Sequence, residues 1–289
     1  MTAAPLTAAP AKAKPQLSLG RRLVREVPLL IVLYLAYQLG RVLAGEHASA
    51  AFVHAEQIWD IERALHLPDE GDLQRWVWTW PGAIRAANAY YAGAHFPVTT
   101  VVLVWIFVWR ARAYPWFRWA LVMLTALGLV GHLVYPLAPP RMLTNHGLLD
   151  TGMLFGQSVY SPPGTGIANQ YAAMPSLHVA WAALVAIALI VTLRTRWRWL
   201  ALAHPILTML VVVATANHYW IDGVVGLFLL TISLVAVRRF LPAAVGPVEA
   251  EPAPLPVARL EPAGSELTAP DSDLEIDPPQ GPQLIGTQR

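Results

Sequence analysis

Asn217-His218-Tyr219-Trp220-Ile221-Asp222 runs without interruption into an apolar stretch, residues 223–237, that stops at Arg238-Arg239. About 20 mainly apolar residues suffice to cross a hydrocarbon core as a helix. Here a Trp stands at one end and two Arg at the other, as expected of side chains anchored at the headgroup level. His218 and Asp222 are four positions apart, so a helix starting here brings them to one face. The segment thus reads both as a membrane span and as a carrier of ionisable groups at its edge, and such groups point to function.

Reading outward with the same template gives six spans, near residues 28–43, 86–109, 119–135, 177–193, 199–215 and 220–237. Composition agrees: the 289 residues are 56% hydrophobic and only 13% charged. A soluble domain carries about 25% charged residues, so the composition points away from a water-soluble monomer and to a membrane protein. The expected fold class is all-α, a polytopic membrane protein built as a six-transmembrane-helix bundle. The absence of Cys rules out disulfides, thiolate nucleophiles and Cys-ligated metal centres. Chemistry has to rest on His, carboxylates, hydroxyls and Arg.

If the spans alternate, thirteen of the twenty Lys and Arg fall on one side: those of residues 1–27, Arg110, Arg112, Arg118, Arg194, Arg196, Arg198, Arg238 and Arg239. Arg41, Arg63, Arg75, Arg85 and Arg141 fall on the other. The positive-inside rule then makes both termini cytoplasmic and turns residues 44–85 and 136–176 outward, in a multi-pass protein of the cell membrane. Ala48-Ser49-Ala50 has the small-x-small form of a processing site. Against cleavage, the preceding basic leader is long and the first apolar run contains Tyr34, Tyr37 and Gln38, so that run is read as a retained span.

The expected organisation is a polar basic cytoplasmic tail (1–27), a six-span catalytic domain (28–240) and a disordered Pro-rich acidic cytoplasmic tail (241–289). Outer surface helices fill residues 51–80 of the catalytic domain. Within them, Phe52, Ile58, Ile61 and Leu65 recur at helical spacing between Glu56, Asp60, Glu62 and Arg63. The scattered basic groups form no continuous face, so no nucleic-acid partner is expected.

Three short stretches converge on the outward edge: residues 135–141 (Tyr-Pro-Leu-Ala-Pro-Pro-Arg), residues 174–178 (Met-Pro-Ser-Leu-His) and residues 217–222. The Asp222 carboxylate can fix the tautomer of His218 and leave its other nitrogen free to attack. His178, from a different helix, supplies an acid. Arg141 suits a phosphate. Ser176 starts a helix whose first N–H groups also attract an anion, as a cap or phosphate donor and not as a nucleophile. The set amounts to a phosphoryl-transfer site. His178, His218 and Asp222 could also ligate a metal, but Arg141 would then have no task; no metal or cofactor is expected. His95 and His132, inside spans, are read as packed polar residues.

Pro175-Ser176-Leu177-His178 followed by His218-x-x-x-Asp222 resembles the second and third motifs of the type 2 phosphatidic acid phosphatase superfamily. With Pro139-Pro140-Arg141 ahead of Ala173-Met174-Pro175 and Asn217-His218-Tyr219-Trp220 behind, the pattern is most similar to the bacterial branch related to inositol phosphorylceramide synthases. The resemblance covers roughly residues 50–237 and includes the six-helix arrangement. It implies His218 as nucleophile, Asp222 as orienting carboxylate, His178 as proton donor to the leaving oxygen and Arg141 as phosphate ligand. Departures are visible: Val134 and Val212 stand where the common motifs carry Lys and Arg, Met142 where they carry Pro, and Leu177 where they carry Gly.

The implied activity is cleavage of a lipid phosphate or pyrophosphate ester through phosphohistidine at the outer membrane face, with lipid phosphate and membrane lipids as partners. One alternative is transfer to an alcohol acceptor such as inositol, giving a phosphodiester lipid. Another is non-catalytic binding or transport of anionic lipids.

Overall fold

The computed structural model describes residues 48–155 and 170–241 continuously, and only scattered positions between Gly20 and Gln38 ahead of them. The chain divides into units 1–248 and 249–289, and every described residue belongs to the first. The expected span at 28–43 lies largely outside the described residues, and the acidic tail lies outside them from residue 242 onward.

Among the described residues the architecture is all helical. The α-helices are α1 (Ala48–Ala64), α2 (Glu70–Trp78), α3 (Pro81–Gly93), α4 (His95–Trp109), α5 (Tyr114–Val134), α6 (Thr151–Phe155), α7 (Leu177–Thr192), α8 (Ala203–Ala214) and α9 (Trp220–Phe240). A 3-10 segment, Arg196–Leu202, leads into α8. Among the described residues three helical stretches are long and apolar enough to cross a membrane: Tyr114–Val134, Arg196–Ala214 and Trp220–Phe240.

Where a span is expected over 86–109, the chain forms the pair α3 and α4, which is apolar and long enough only when taken together and is bent by 49°. Pro97, in the first turn of α4, has no N–H to give the carbonyl four residues back, so the helical ladder breaks at that point. Helix α7 is apolar but has only 16 residues. It is the most enclosed helix, with Val179, Ala180, Ala182, Ala183, Leu184, Val185, Ala186 and Ala188 all buried. A helix packed on every side has no need of a polar stripe.

Small residues let the helices approach where lipid supplies no hydrophobic drive between them. A Cβ on Gly131 of α5 would lie 2.7 Å from Pro175 Cδ, and one on Gly226 of α9 would lie 2.5 Å from the Ser176 carbonyl oxygen. The start of α7 is therefore pinned between α5 and α9.

Helix α1 presents Ala51, Ala55, Ile58, Trp59 and Glu62 to the protein. Phe52, Ile61 and Leu65 are exposed. Glu62, one of the charges expected among the surface polar positions, is instead wholly buried. The buried face of α1 packs with Leu137, Ala138, Leu143, Ala173 and Tyr219 into a small core beneath the loops that carry the three motifs. Backbone bonds stitch these loops together: Leu137 N–H donates to Tyr171 O at 2.8 Å and Ala138 N–H to Ala51 O at 3.1 Å.

Candidate active site

Each expected site residue sits at a helix start or on a loop held by the backbone. Ser176 is the N-cap of α7 and accepts from Val179 N–H through its side chain. His178 lies in the first turn. Arg141 sits on the 3-10 turn Pro140–Met142, whose Arg141 N–H donates to Ala216 O at 2.9 Å. The bend between α8 and α9 is closed by Asn217 N–H and His218 N–H, both donating to Val212 O, at 2.9 and 3.1 Å.

The five expected residues are brought together. The His178 and His218 rings lie 5.5 Å apart, edge to face. Ser176 N–H donates to the Asp222 carbonyl at 2.9 Å. Arg141 Nη1 donates to the Asn217 side-chain oxygen at 2.7 Å, one residue from His218. Arg141 is only 5% exposed and His218 4%. Among the described residues, no group of three or more His, Cys, Asp or Glu side chains is placed to hold a metal ion.

The orientation of His218 differs in detail from the expected pair. Its Nδ1 lies 2.7 Å from the Ala173 carbonyl oxygen and 3.3 Å from Asp222 Oδ2. A carbonyl only accepts, so Nδ1 carries the hydrogen and Nε2 keeps its lone pair. The Ala173 carbonyl is the nearer anchor, and Asp222 shares the same N–H. The same Asp222 oxygen accepts from Tyr219 N–H at 2.9 Å, capping the helix on which it rides.

Burial holds the His218 imidazole well below its ordinary range, at about 4, with the Arg141 charge adding to the fall and the Ala173 bond opposing it. The ring is therefore neutral at pH 7, the form a nucleophile requires. Burial likewise pushes the Tyr219 phenol far up, with the nearby Asp222 charge adding to it. It stays a hydroxyl and donates to Ala138 O at 3.2 Å.

Several contributors escape a reading by residue type. Asp150 pairs with Arg141 Nε at 3.2 Å. Asn217 also donates through Nδ2 to Thr215 Oγ1 at 2.9 Å, which fixes the amide so that its oxygen faces the guanidinium. Its place beside His218 was the available signal. His178 is flanked by Tyr91, stacked at 4.7 Å, and by His95 at 4.6 Å. His132, packed as expected, donates through Nε2 to Pro175 O at 3.1 Å. Val134, where a Lys is common, is 76% exposed, and Val212 is buried against Val179 and Tyr91. Arg75 is paired with Asp72 on an exposed surface.

The model of a family described as the PAP2 superfamily matches residues 56–236. The phosphoinositol dihydroceramide synthase of Bacteroides thetaiotaomicron is 29% identical over 179 residues, which cover 50% of this chain and 58% of that protein. The similarity thus spans less than two-thirds of that relative's length. No solved structure matches the chain.

Proposed function

The chain belongs to the PAP2 superfamily, and from that premise we propose that it cleaves a lipid phosphate or pyrophosphate ester through a phosphohistidine at His218. The observation that carries the reading is the Ala173 bond to His218 Nδ1, which leaves the Nε2 lone pair for attack beside a buried Arg.

In the first step Nε2 attacks phosphorus, a P–N bond forms and the P–O bond to the lipid breaks. His178, once protonated, gives its proton to the departing oxygen. In the second step water or an alcohol attacks, the P–N bond breaks and His178 recovers the proton. Arg141 draws the phosphate oxygens and stabilises charge developing on them, and the first-turn N–H groups of α7 add to that field. With Arg141 in this role the chemistry needs no metal, and chelators leave the rate unchanged.

On this reading the chain makes six spans, the first over 28–43 and with α7 and the bent α3–α4 pair each counted as one, and the positive-inside rule puts the site at the outer face with both termini cytoplasmic. The 1–27 and 241–289 segments are then cytoplasmic tails flanking the catalytic domain. Transfer to an alcohol acceptor is the second reading, favoured by the synthase name of the Bacteroides relative.

Purified protein given labelled lipid phosphate, with and without inositol, separates the two: free phosphate marks hydrolysis, and a new phosphodiester lipid marks transfer. Acid-quenched turnover traps an acid-labile phosphoprotein, absent from His218→Ala. Full activity in His218→Ala would overturn the assignment of the nucleophile. A chain that turns over no lipid phosphate would leave anionic-lipid binding as its role.

A further inference from the structure

Glu62 of α1 and Glu70 of α2 are both wholly buried, and both carboxyl groups lie against the same Arg63 nitrogen, Nη2, at 3.9 and 2.9 Å. Two ionised carboxylates cannot hydrogen-bond each other, because each offers only acceptors. Glu62 Oε2 and Glu70 Oε1 are buried atoms with no hydrogen-bond partner, and a proton shared between the two groups would satisfy both. Glu70 Oε2 accepts from Arg63 Nη2 at 2.9 Å, whereas the nearest Arg63 nitrogen to Glu62 is 3.9 Å away. The shorter Arg63 contact favours the proton on Glu62, since two like charges buried around one guanidinium are disfavoured.

The other Glu62 oxygen, Oε1, accepts from Ile221 N–H at 2.7 Å. Ile221 lies in the first turn of α9, where N–H groups have no acceptor within the helix. Asp222 satisfies Tyr219 N–H from inside the helix, and Glu62 satisfies Ile221 N–H from a different helix. We propose that Glu62 is a neutral carboxylic acid which, proton-bonded to Glu70, acts as a positioning residue that fixes the first turn of α9 and so the placement of His218 and Asp222. The effect on turnover rests on the phosphohistidine reading; the shared proton does not.

The charged and titratable groups facing Glu62 are Arg63 on its own helix, Asp69 and Glu70 at the start of α2, and Tyr219 and Asp222 at the start of α9. Burial first, and Glu70 second, push the Glu62 carboxyl up to about 9. Loss of the proton above that pH places two charges side by side and releases the turn.

The test is release of phosphate from a long-chain lipid phosphate in detergent micelles by the full-length protein across neutral and alkaline pH. Wild type loses activity above about pH 9. In Glu62→Gln the amide oxygen still accepts from Ile221 and the amide N–H still donates to Glu70, so kcat is kept and the alkaline loss disappears. Glu62→Ala lowers kcat by about tenfold or more with KM little changed. The proposal is overturned by a Glu62→Gln enzyme as impaired as Glu62→Ala, by one that keeps the alkaline loss, or by an unimpaired Glu62→Ala.

Infrared spectra read the proton without turnover: a protonated-carboxyl band is expected in wild type and in His218→Ala, and is lost in Glu62→Gln. Its absence from wild type overturns the shared proton whatever His218 does. An active His218→Ala enzyme that keeps the band overturns only the nucleophile.

Discussion

Arg141 is aimed by Asn217: the guanidinium donates to the amide oxygen at 2.7 Å, and the amide nitrogen is tied in turn to Thr215. A hydrogen bond to a charged group contributes about 1.5–3 kcal/mol. Asn217→Ala should therefore lower kcat/KM by about tenfold to a hundredfold, without loss of the folded protein. Asn217→Asp, closer in shape, should be worse than Ala, because a second carboxylate at Arg141 beside Asp150 repels the phosphate. Steady-state kinetics of the two variants check the order; an Asp variant better than Ala would contradict it.

Asp222→Asn keeps the geometry. The amide oxygen can occupy the Oδ2 position, accepting from Tyr219 N–H and His218 Nδ1, while its NH2 falls at Oδ1, an atom with no hydrogen-bond partner. Where a carboxylate alone sets a histidine tautomer, its amide replacement costs about 10⁴ in kcat. Here Ala173 also fixes the tautomer, so a loss of only about tenfold to a hundredfold is expected. A variant as inactive as His218→Ala would show that the charge, and not the geometry, is what Asp222 supplies.

The His218 imidazole should titrate near pH 4, and NMR of the purified protein in detergent reads this directly. The sign follows from burial: the charged ring is disfavoured in the folded protein, so its pKa falls. Neutral His218 then persists from pH 7 down to about 4, and kcat/KM should show no loss from this group near 6.5, the ordinary midpoint of the residue.

Thermal unfolding should carry the imprint of Glu62. Its pKa is raised in the folded state, so the stability linked to that proton is complete below the unfolded carboxyl pKa and is lost as pH rises through about 9. Melting temperatures of wild type should fall over that window more steeply than those of Glu62→Gln. Parallel curves would argue against the assignment.

Two glycines on α9 should respond oppositely to alanine. A Cβ at Gly226 meets the Ser176 backbone oxygen, which cannot yield, whereas one at Gly223 meets the flexible end of the Met209 side chain. Gly226→Ala should cost about 1–3 kcal/mol of stability and much of the activity, and Gly223→Ala little of either. Thermal melts and phosphate release measure both.

The site was legible in the sequence where chemistry depends on side-chain type and spacing. The i, i+4 relation of His218 and Asp222, together with three motifs at compatible span ends, brings the five expected residues to one place. Bonds made by the backbone were not legible: the Ala173 carbonyl anchors His218, and any residue at 173 would offer the same oxygen. Glu62 escaped for a different reason. On a helix bearing Glu56, Asp60 and Arg63 it has the pattern of a solvated face, and only the tertiary fold shows that it is buried and accepts from Ile221 N–H. The bend between α3 and α4 had a visible cause in Pro97, yet apolar composition alone reads through it as one continuous span.

The Ser176 N–H bond to the Asp222 carbonyl has a mechanical consequence. It rivets the beginnings of α7 and α9 through their main chains, so His178 and His218 are held by one connected frame. Side-chain replacement at either end leaves that rivet in place. Any breathing of the protein has to be taken up elsewhere, and the spacing of His178 from His218 is carried through it unchanged.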